Sequence, residues 1–251
     1  MTDVILATEG VSKQFGKFIA LNDVSVAFAR GQLAAIIGPN GAGKSTYFNV
    51  LSGAHAPTRG RLLFQGRDIT GLAQHRFAHI GIAKSFQITN IFPQLSAFEN
   101  VRVAVQARHV RYGMWRPRES YAEINDRARE LLAMVGLGRI DDRAAEDASH
   151  GEQRALEIAM ALASEPSLLL LDEPTAGMSP EETQTMMRLI VKLGETRTVI
   201  LVEHKMKLVM GICERIVVLH HGELLADGTP AEVQSNTDVK RVYLGQGKEK
   251  G

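Results

Sequence analysis

A glycine-rich segment has the residue types and spacing of a phosphate-binding loop. Its residues are Gly38-Pro39-Asn40-Gly41-Ala42-Gly43-Lys44-Ser45-Thr46, which match the pattern Gly, four residues, Gly-Lys-Ser/Thr. Glycines let backbone N–H groups crowd around phosphate oxygens, and a helix that begins here favours anions. The ammonium of Lys44 suits the outer phosphates, and the hydroxyl of Ser45 suits Mg²⁺. The segment therefore predicts a nucleoside-triphosphate site; the alternative is a plain glycine turn that leads into a helix.

A pair of acids follows an apolar run much farther along the chain. Four leucines at 168–171 lead directly into Asp172 and Glu173. A strand buried on both faces would place these acids at the carboxyl edge of a parallel sheet, where ligands bind in doubly wound folds. Asp172 is suited to hold Mg²⁺ through water, and Glu173 is suited to orient the attacking water. Without the glycine-rich segment, two acids that merely end a strand would be the better interpretation.

The strands and helices that must position these residues can be predicted from hydrophobic patterns. The run 33–37 predicts a strand before the glycine-rich segment, and 47–51 predicts a helix after it. Further strands are predicted at 4–8, 21–28, 61–64, 80–86, 167–171, 198–202 and 215–220. The several apolar strands that alternate with helical patterns favour a parallel sheet.

Helical patterns cover 97–140, 155–164, 181–193 and 205–212. Ser149 is a candidate N-cap with Glu152 in the capping-box position, and Thr229-Pro230 predicts another helix start. An Arg-rich stretch at 108–118 interrupts the first helical pattern. It is too short and isolated to predict nucleic-acid binding, so a solvated loop or helix face is the better interpretation.

Composition limits the classes of protein that the chain can represent. It has 251 residues, a hydrophobic fraction of 45% and a net charge of +1, which are ordinary values for a globular protein without a general attraction to nucleic acid or membranes. Cys213 is the only cysteine, so no disulfide can form within the chain, which fits a reducing cytosol. No apolar run reaches the roughly 18 residues of a membrane span, and the first residues do not form a secretory signal. Any membrane role is therefore expected to depend on a partner.

Taken together, the motifs resemble the ATPase subunit of an ATP-binding-cassette transporter. Five features occur in that family's order: the phosphate loop, Gln87, the signature Ser149-His150-Gly151-Glu152-Gln153, the pair Asp172-Glu173, and His204. The resemblance implies an α/β fold: a P-loop nucleoside-triphosphatase core with an antiparallel β subdomain and an inserted helical subdomain. The expected single cassette domain has its core and β subdomain at 1–90 and 160–251, and its helical subdomain at about 91–159.

The same resemblance implies how nucleotide is bound. ATP would lie between the phosphate loop of one subunit and Ser149 and Gly151 of a second, which is an identical chain or a paralogue. Gln87 would contact Mg²⁺ together with Ser45 and Asp172. His204 would contact the γ-phosphate, although a lone histidine at a strand end is more often a structural hydrogen-bonding group.

Two further assignments come from the resemblance alone. Phe15 would stack on adenine, with an ordinary buried phenylalanine as the alternative. The segment Ala176-Gly177-Met178 would lie at the interface between the two cassettes. The catalytic set would then be Glu173, His204 and Lys44.

One branch of the family matches over longer segments. His150 in the signature, together with 203–212, 227–233 and 242–245, resembles uptake systems for branched-chain and other hydrophobic amino acids. Urea or amide uptake systems share part of this pattern, and 239–245 also resembles the lipopolysaccharide-export ATPase. The expected partners are a second cassette, transmembrane permease subunits and, indirectly, a periplasmic or extracellular solute-binding protein, at the cytoplasmic face of the inner membrane. A soluble cassette ATPase of DNA repair or translation and a module that binds nucleotide without hydrolysis are the alternatives.

Overall fold

The computed structural model describes residues 3–85, 91–109 and 121–245. Its strands are β1 (Val4–Phe15), β2 (Phe18–Ala29), β3 (Leu33–Ile37), β4 (Arg59–Phe64), β5 (Arg67–Asp68), β6 (Ile82–Lys84), β7 (Leu168–Asp172), β8 (Thr198–Val202), β9 (Arg215–His220) and β10 (Glu223–Gly228). Its helices are α1 (Lys44–Leu51), α2 (Phe77–Ile80), α3 (Ala97–His109), α4 (Ala122–Met134), α5 (His150–Leu162), α6 (Pro180–Gly194), α7 (Met206–Ile212), α8 (Pro230–Ser235) and α9 (Thr237–Gly245). Gln87 and most of the Arg-rich stretch lie outside the described residues.

A six-stranded sheet forms the centre of the fold, with the order β10-β9-β3-β8-β7-β6. All neighbouring pairs are parallel except β10 with β9, which form an antiparallel hairpin at one edge. Every residue of β3, β7 and β8 is buried, as expected for strands covered on both faces. The predicted parallel sheet is confirmed, and the bounds predicted for β8 and β9 match the structure.

A smaller antiparallel sheet, with the order β2-β1-β4-β5, confirms the predicted β subdomain. The predicted strand at 4–8 was too short, because β1 continues to Phe15. The register between β1 and β2 shifts between Thr8 and Val11, and Gly10 there has φ +59°. This irregularity breaks the alternation of apolar and polar residues by which a half-buried strand is predicted.

The central sheet separates two hydrophobic clusters. Leu33, Ala35 and Ile37 of β3 face the cluster that contains α3, α4, α5 and α6. Ala34 and Ile36 face the other cluster, which α1 and the smaller sheet complete. Strand β3 therefore holds the glycine-rich segment against both layers of the molecule.

Two predicted elements were wrong in their bounds. The strand predicted at 80–86 is preceded by a short helix, α2, and Gly81 with φ +97° separates this helix from the three-residue strand β6. The helix predicted to reach residue 140 ends with α4 at Met134, since Gly136 adopts φ +83°. Leu137 is nevertheless buried, so an apolar residue in a turn continued the helical pattern. Within the described ranges, no helix has the length and apolar character needed to cross a bilayer.

Candidate functional site

Three strands bring the predicted site residues to one edge of the central sheet. Strand β8 pairs with β3 on one side and with β7 on the other, so the segments that follow these strands are neighbours. The backbone N–H of Glu173 donates to the carbonyl of Val202 at 3.0 Å, and that of Glu203 donates to the carbonyl of Ile36 at 3.3 Å. The glycine-rich segment, the acid pair and His204 therefore meet at the carboxyl edge, where doubly wound sheets bind ligands.

The glycine-rich segment is tightly seated, and two of its glycines explain how. A Cβ on Gly38 would lie 2.3 Å from the carbonyl oxygen of Leu219. Gly43 has φ +95° at the N-cap of α1, and a Cβ there would lie 2.7 Å from the carbonyl oxygen of Ala20. Only glycine fits such approaches, which shape the loop before a helix N-terminus.

Lys44 is the first residue of α1, and its side chain is buried against the loop. Its ammonium donates to the carbonyls of Gly38 at 2.8 Å and Pro39 at 3.0 Å. Burial lowers the pKa of Lys44, while the carboxylates of Glu173 and Asp172 act in the opposite direction. The ammonium of Lys44 is therefore close enough to Asp172 and Glu173 to interact electrostatically with both carboxylates. Ser45, the next residue of the helix, is exposed.

Asp172 ends β7 and is buried. Burial raises its pKa, and the nearby ammonium of Lys84 is the main opposing influence. Lys84 lies on β6, and its ammonium donates to Asn49 Oδ1 at 3.0 Å. Sequence reasoning missed Lys84, because a lysine in a three-residue strand belongs to no recognisable motif.

Glu173 and His204 lie side by side. Glu173 has a left-handed backbone, φ +44°, which non-glycine residues rarely adopt and which often marks a functional position. Its Oε1 is 3.9 Å from Nδ1 of His204. Both side chains are partly exposed, so a molecule bound at the sheet edge can reach them.

Glu203 is a buried acid that sequence reasoning did not single out. Its side chain is fully buried, and Oε1 accepts a hydrogen bond from the Thr175 hydroxyl at 2.6 Å. Its other oxygen, Oε2, accepts from the backbone N–H of His204 at 3.2 Å. Glu203 thus connects Thr175, in the segment after Glu173, with the backbone of His204. Thr175 and Glu203 lie 28 positions apart, so no local sequence pattern reveals this connection.

Replacing Thr175 by valine is expected to lower the free energy of unfolding by about 1–3 kcal/mol, because it leaves a buried carboxylate without its shortest hydrogen bond. Serine at this position keeps the hydroxyl and is expected to recover most of the loss. Urea unfolding of the three proteins measures the effect. Equal stability of the valine variant and the original protein would contradict this role for the bond.

The signature segment begins helix α5 as predicted. Ser149 is the N-cap, and the capping box with Glu152 is confirmed. Glu152 also forms an ion pair with Arg143, so its side chain contributes both to the cap and to this pair. The ring of His150 lies against Gly177, where an added Cβ would approach it to 3.2 Å. The signature therefore packs on the segment that follows Glu173 in the same chain.

Two of the predicted site residues lie away from the edge of the central sheet or outside the described residues. Phe15 lies at the β1–β2 hairpin and is 44% exposed, so the alternative of an ordinary buried phenylalanine is wrong. Its ring makes an edge contact with the ring of His55 at a centroid distance of 5.5 Å. Gln87 lies outside the described residues, so its assignment stays a prediction.

Comparison with known proteins identifies the family. Residues 21–176 match the family described as "ABC transporter", and residues 223–249 match "Branched-chain amino acid ATP-binding cassette transporter". The high-affinity branched-chain amino acid transport ATP-binding protein LivG of Salmonella typhimurium is 39% identical over 98% of this chain and 100% of its own length. The lipopolysaccharide export system ATP-binding protein LptB of Acidithiobacillus ferridurans is 36% identical over 96% of this chain and 97% of its own length.

Solved structures agree with this family and with the fold. The ADP conformation of the ATP-binding cassette MJ1267 superimposes with a TM-score of 0.85 at 29% identity, over 96% of this chain and 99% of that one. The dimeric post-hydrolysis state of the cassette MJ0796, bound to ADP and Pi, superimposes with a TM-score of 0.77 at 30% identity, over 90% of this chain and 99% of that one. With a phosphate loop, an acid pair and a signature helix on this fold, the chain belongs to the ABC transporter family and is one of its ATP-hydrolysing, ATP-binding subunits.

Proposed function

We propose that this subunit powers the import of branched-chain or other hydrophobic amino acids. The observation that carries this proposal is the match of residues 223–249 to the branched-chain amino acid family, together with similarity to LivG over the full chain. Export of lipopolysaccharide is the second candidate, supported by the somewhat lower identity to LptB. Transport of urea or amides rests on motif resemblance alone.

In the proposed site, ATP is the substrate and its phosphates lie on the loop from Gly38 to Thr46. Lys44 would leave the loop carbonyls for the outer phosphates, a move that exchanges neutral acceptors for charged ones. Mg²⁺ would be held by the Ser45 hydroxyl and, through water, by Asp172, with Gln87 as a further ligand. These groups fit the ion, because Mg²⁺ usually keeps several waters and takes one or two carboxylates beside substrate phosphates. When bound, Mg²⁺ would neutralise charge on the phosphates.

The residues of the chain then divide the work of hydrolysis. Glu173 would accept a proton from the attacking water and orient it, since its carboxylate lies at the sheet edge and is partly exposed. His204 would donate to the γ-phosphate from its place beside Glu173. Lys44 would stabilise the charge that spreads over the transferring phosphoryl group.

A second cassette would complete the site. Ser149 and Gly151 lie at the N-terminus of α5, which suits a phosphate brought by a partner subunit. Phe15 would stack on the adenine, and its exposure leaves the ring accessible. The segment 176–178 would line the interface between the subunits.

Permease subunits are proposed to dock in a groove between the sheet and the helical layer. The groove has a volume of about 670 Å³ and is bordered by α2 and Gly81 on one side and by α3 and the end of α5 on the other. Arg108 and Glu165 form an ion pair at 2.9 Å on its rim. This groove lies next to β6, whose Lys84 is close to Asp172, so β6 would couple a docked partner to the nucleotide site. The subunit would then sit at the cytoplasmic face of the membrane.

The transport proposal can be tested by reconstitution. Reconstituted in proteoliposomes with the permease subunits and solute-binding protein that co-purify with it, the subunit is expected to hydrolyse ATP at least several-fold faster when leucine is supplied. Urea and lipopolysaccharide, supplied in parallel with the same lipid, should leave the rate at its basal value. Stimulation by either of these in place of leucine would contradict the proposal and identify the alternative.

A further inference from the structure

The N-terminus of the signature helix already holds an anion that belongs to the same chain. Oε1 of Glu182, in the first turn of α6, accepts a hydrogen bond from the Ser149 hydroxyl at 3.0 Å. The same oxygen accepts from the backbone N–H of Gly151 at 3.1 Å. The hydroxyl and the helix N-terminal N–H thus donate to the same carboxylate oxygen. A phosphate oxygen bound at this helix N-terminus would accept hydrogen bonds from the same two donors.

The occupant of this position is charged. Hydrogen bonds from the backbone of Ser179 and of Gly151, with that of the Ser149 hydroxyl, hold the pKa of Glu182 at about 2. Its side chain is therefore an anion at every physiological pH. The Ser149 hydroxyl has a single proton, and that proton is already donated to Glu182.

We infer that Glu182 is a positioning residue that competes with the phosphate of the partner subunit's ATP. The inference rests on the proposed function, in which Ser149 and Gly151 contact that phosphate. These two donors cannot serve the carboxylate and the phosphate together, and the two anions repel each other. Glu182 must therefore swing away when the subunits pair around ATP, and it raises the ATP concentration at which they do so.

The surroundings of Glu182 leave room for this movement. A surface cavity of about 290 Å³ borders the contact, and its lining includes Ser149, Gly151 and Glu182. The Glu182 side chain is only partly buried. The second carboxylate oxygen accepts from the backbone N–H of Ser179 at 3.0 Å, as part of the capping box of α6. The carboxylate can therefore keep its bond to its own helix while it releases the signature.

The chain offers a matched control for the cap. Glu232 occupies the same third position of a capping box, with Thr229 at the N-cap and proline at the first helical position of α8. Its carboxylate accepts from the backbone N–H of Thr229 at 2.7 Å. No hydrogen bond within the described residues joins Glu232 to the signature. Replacing each acid by glutamine therefore changes the same kind of cap, but only the Glu182 change removes a negative charge that contacts the N-terminus of α5.

The experiment measures ATP-dependent pairing of the full chain. In protein that carries Glu173→Gln, which is expected to accumulate ATP-bound dimers, the dimer fraction is followed by light scattering as ATP is titrated. Adding Glu182→Gln is expected to lower the ATP concentration for half-maximal pairing by about 3- to 10-fold, and adding Glu232→Gln is expected to leave it within about twofold. With Glu173 intact, Glu182→Gln should lower KM for ATP while kcat stays within about twofold.

The outcomes distinguish failure of the role inferred for Glu182 from failure of the proposed function. If the Glu173→Gln parent forms dimers in the presence of ATP, and adding Glu182→Gln leaves the ATP concentration for half-maximal pairing unchanged or raises it, the competing role of Glu182 is wrong and the proposed function stands. A lowered midpoint for both glutamine variants also overturns the inference, because it assigns the effect to capping. If the parent binds ATP and no variant pairs at millimolar ATP, the proposed two-subunit site is wrong, and the inference fails with it.

Discussion

Replacing Glu173 by glutamine is expected to lower ATP hydrolysis by about 100- to 10,000-fold, the range that a general base contributes. Glutamine has nearly the same shape and cannot accept the proton of the attacking water. The carboxylate occupies the expected place, at the sheet edge and 3.9 Å from the imidazole of His204. Phosphate release under saturating ATP measures the rate, and a filter-binding assay should show that ATP still binds.

The control for this substitution is Glu214→Gln, at an exposed position just before β9. It makes the same chemical change away from the site and is expected to hydrolyse ATP at the original rate. Hydrolysis at the original rate by the Glu173 variant would show that another group acts as the base. His204, which lies beside it, would then be the first residue to test.

Lys44→Met is expected to weaken ATP binding about 100-fold, which corresponds to about 2.7 kcal/mol. Methionine keeps much of the length of the side chain and removes the ammonium that is proposed to contact the outer phosphates. A loss of this size is typical of removing one or two hydrogen bonds between charged groups. Titration with ATP in a calorimeter, without hydrolysis in the Glu173→Gln background, measures the change directly.

Lys192→Met provides the matched substitution for Lys44, since Lys192 is an exposed lysine near the end of α6. The Lys192→Met variant should bind ATP with the same affinity as the parent. An affinity within threefold of the parent for the Lys44 variant would contradict the assignment of this lysine to the phosphates. Retained unfolding temperature in both variants would show that the loss of binding does not come from loss of the fold.

Sequence patterns predicted the central sheet well because its strands are short, apolar and buried on both faces. The bounds of β8 and β9 needed no further information. The capping box at Ser149 was equally accessible, because all of its residues lie within one turn. Patterns of this kind work when the physical cause of an element is local.

The same patterns failed where the cause was distant. Gly81 ends α2, yet the apolar residues on both sides of it gave the signal of one continuous strand. Glu203 and Glu182 belong to the site through partners that lie 28 and 33 positions away, Thr175 and Ser149. Neither acid stands in a motif whose spacing encodes such a pairing. Only the folded chain brings these hydrogen-bonding groups together.

The order of strands in the central sheet also limits when the protein can begin to work. Strand β3 lies between β8 and β9, although both of these follow it far along the chain. A ribosome therefore releases the glycine-rich segment long before the strands that flank it exist, and before the carbonyl of Leu219 against which Gly38 is seated. A nascent chain that ends before β8 contains all the residues of the phosphate loop, but it lacks the strands and the Leu219 carbonyl that hold the loop in its folded shape. The newly made subunit can acquire its affinity for ATP only after synthesis has passed β9 and Leu219.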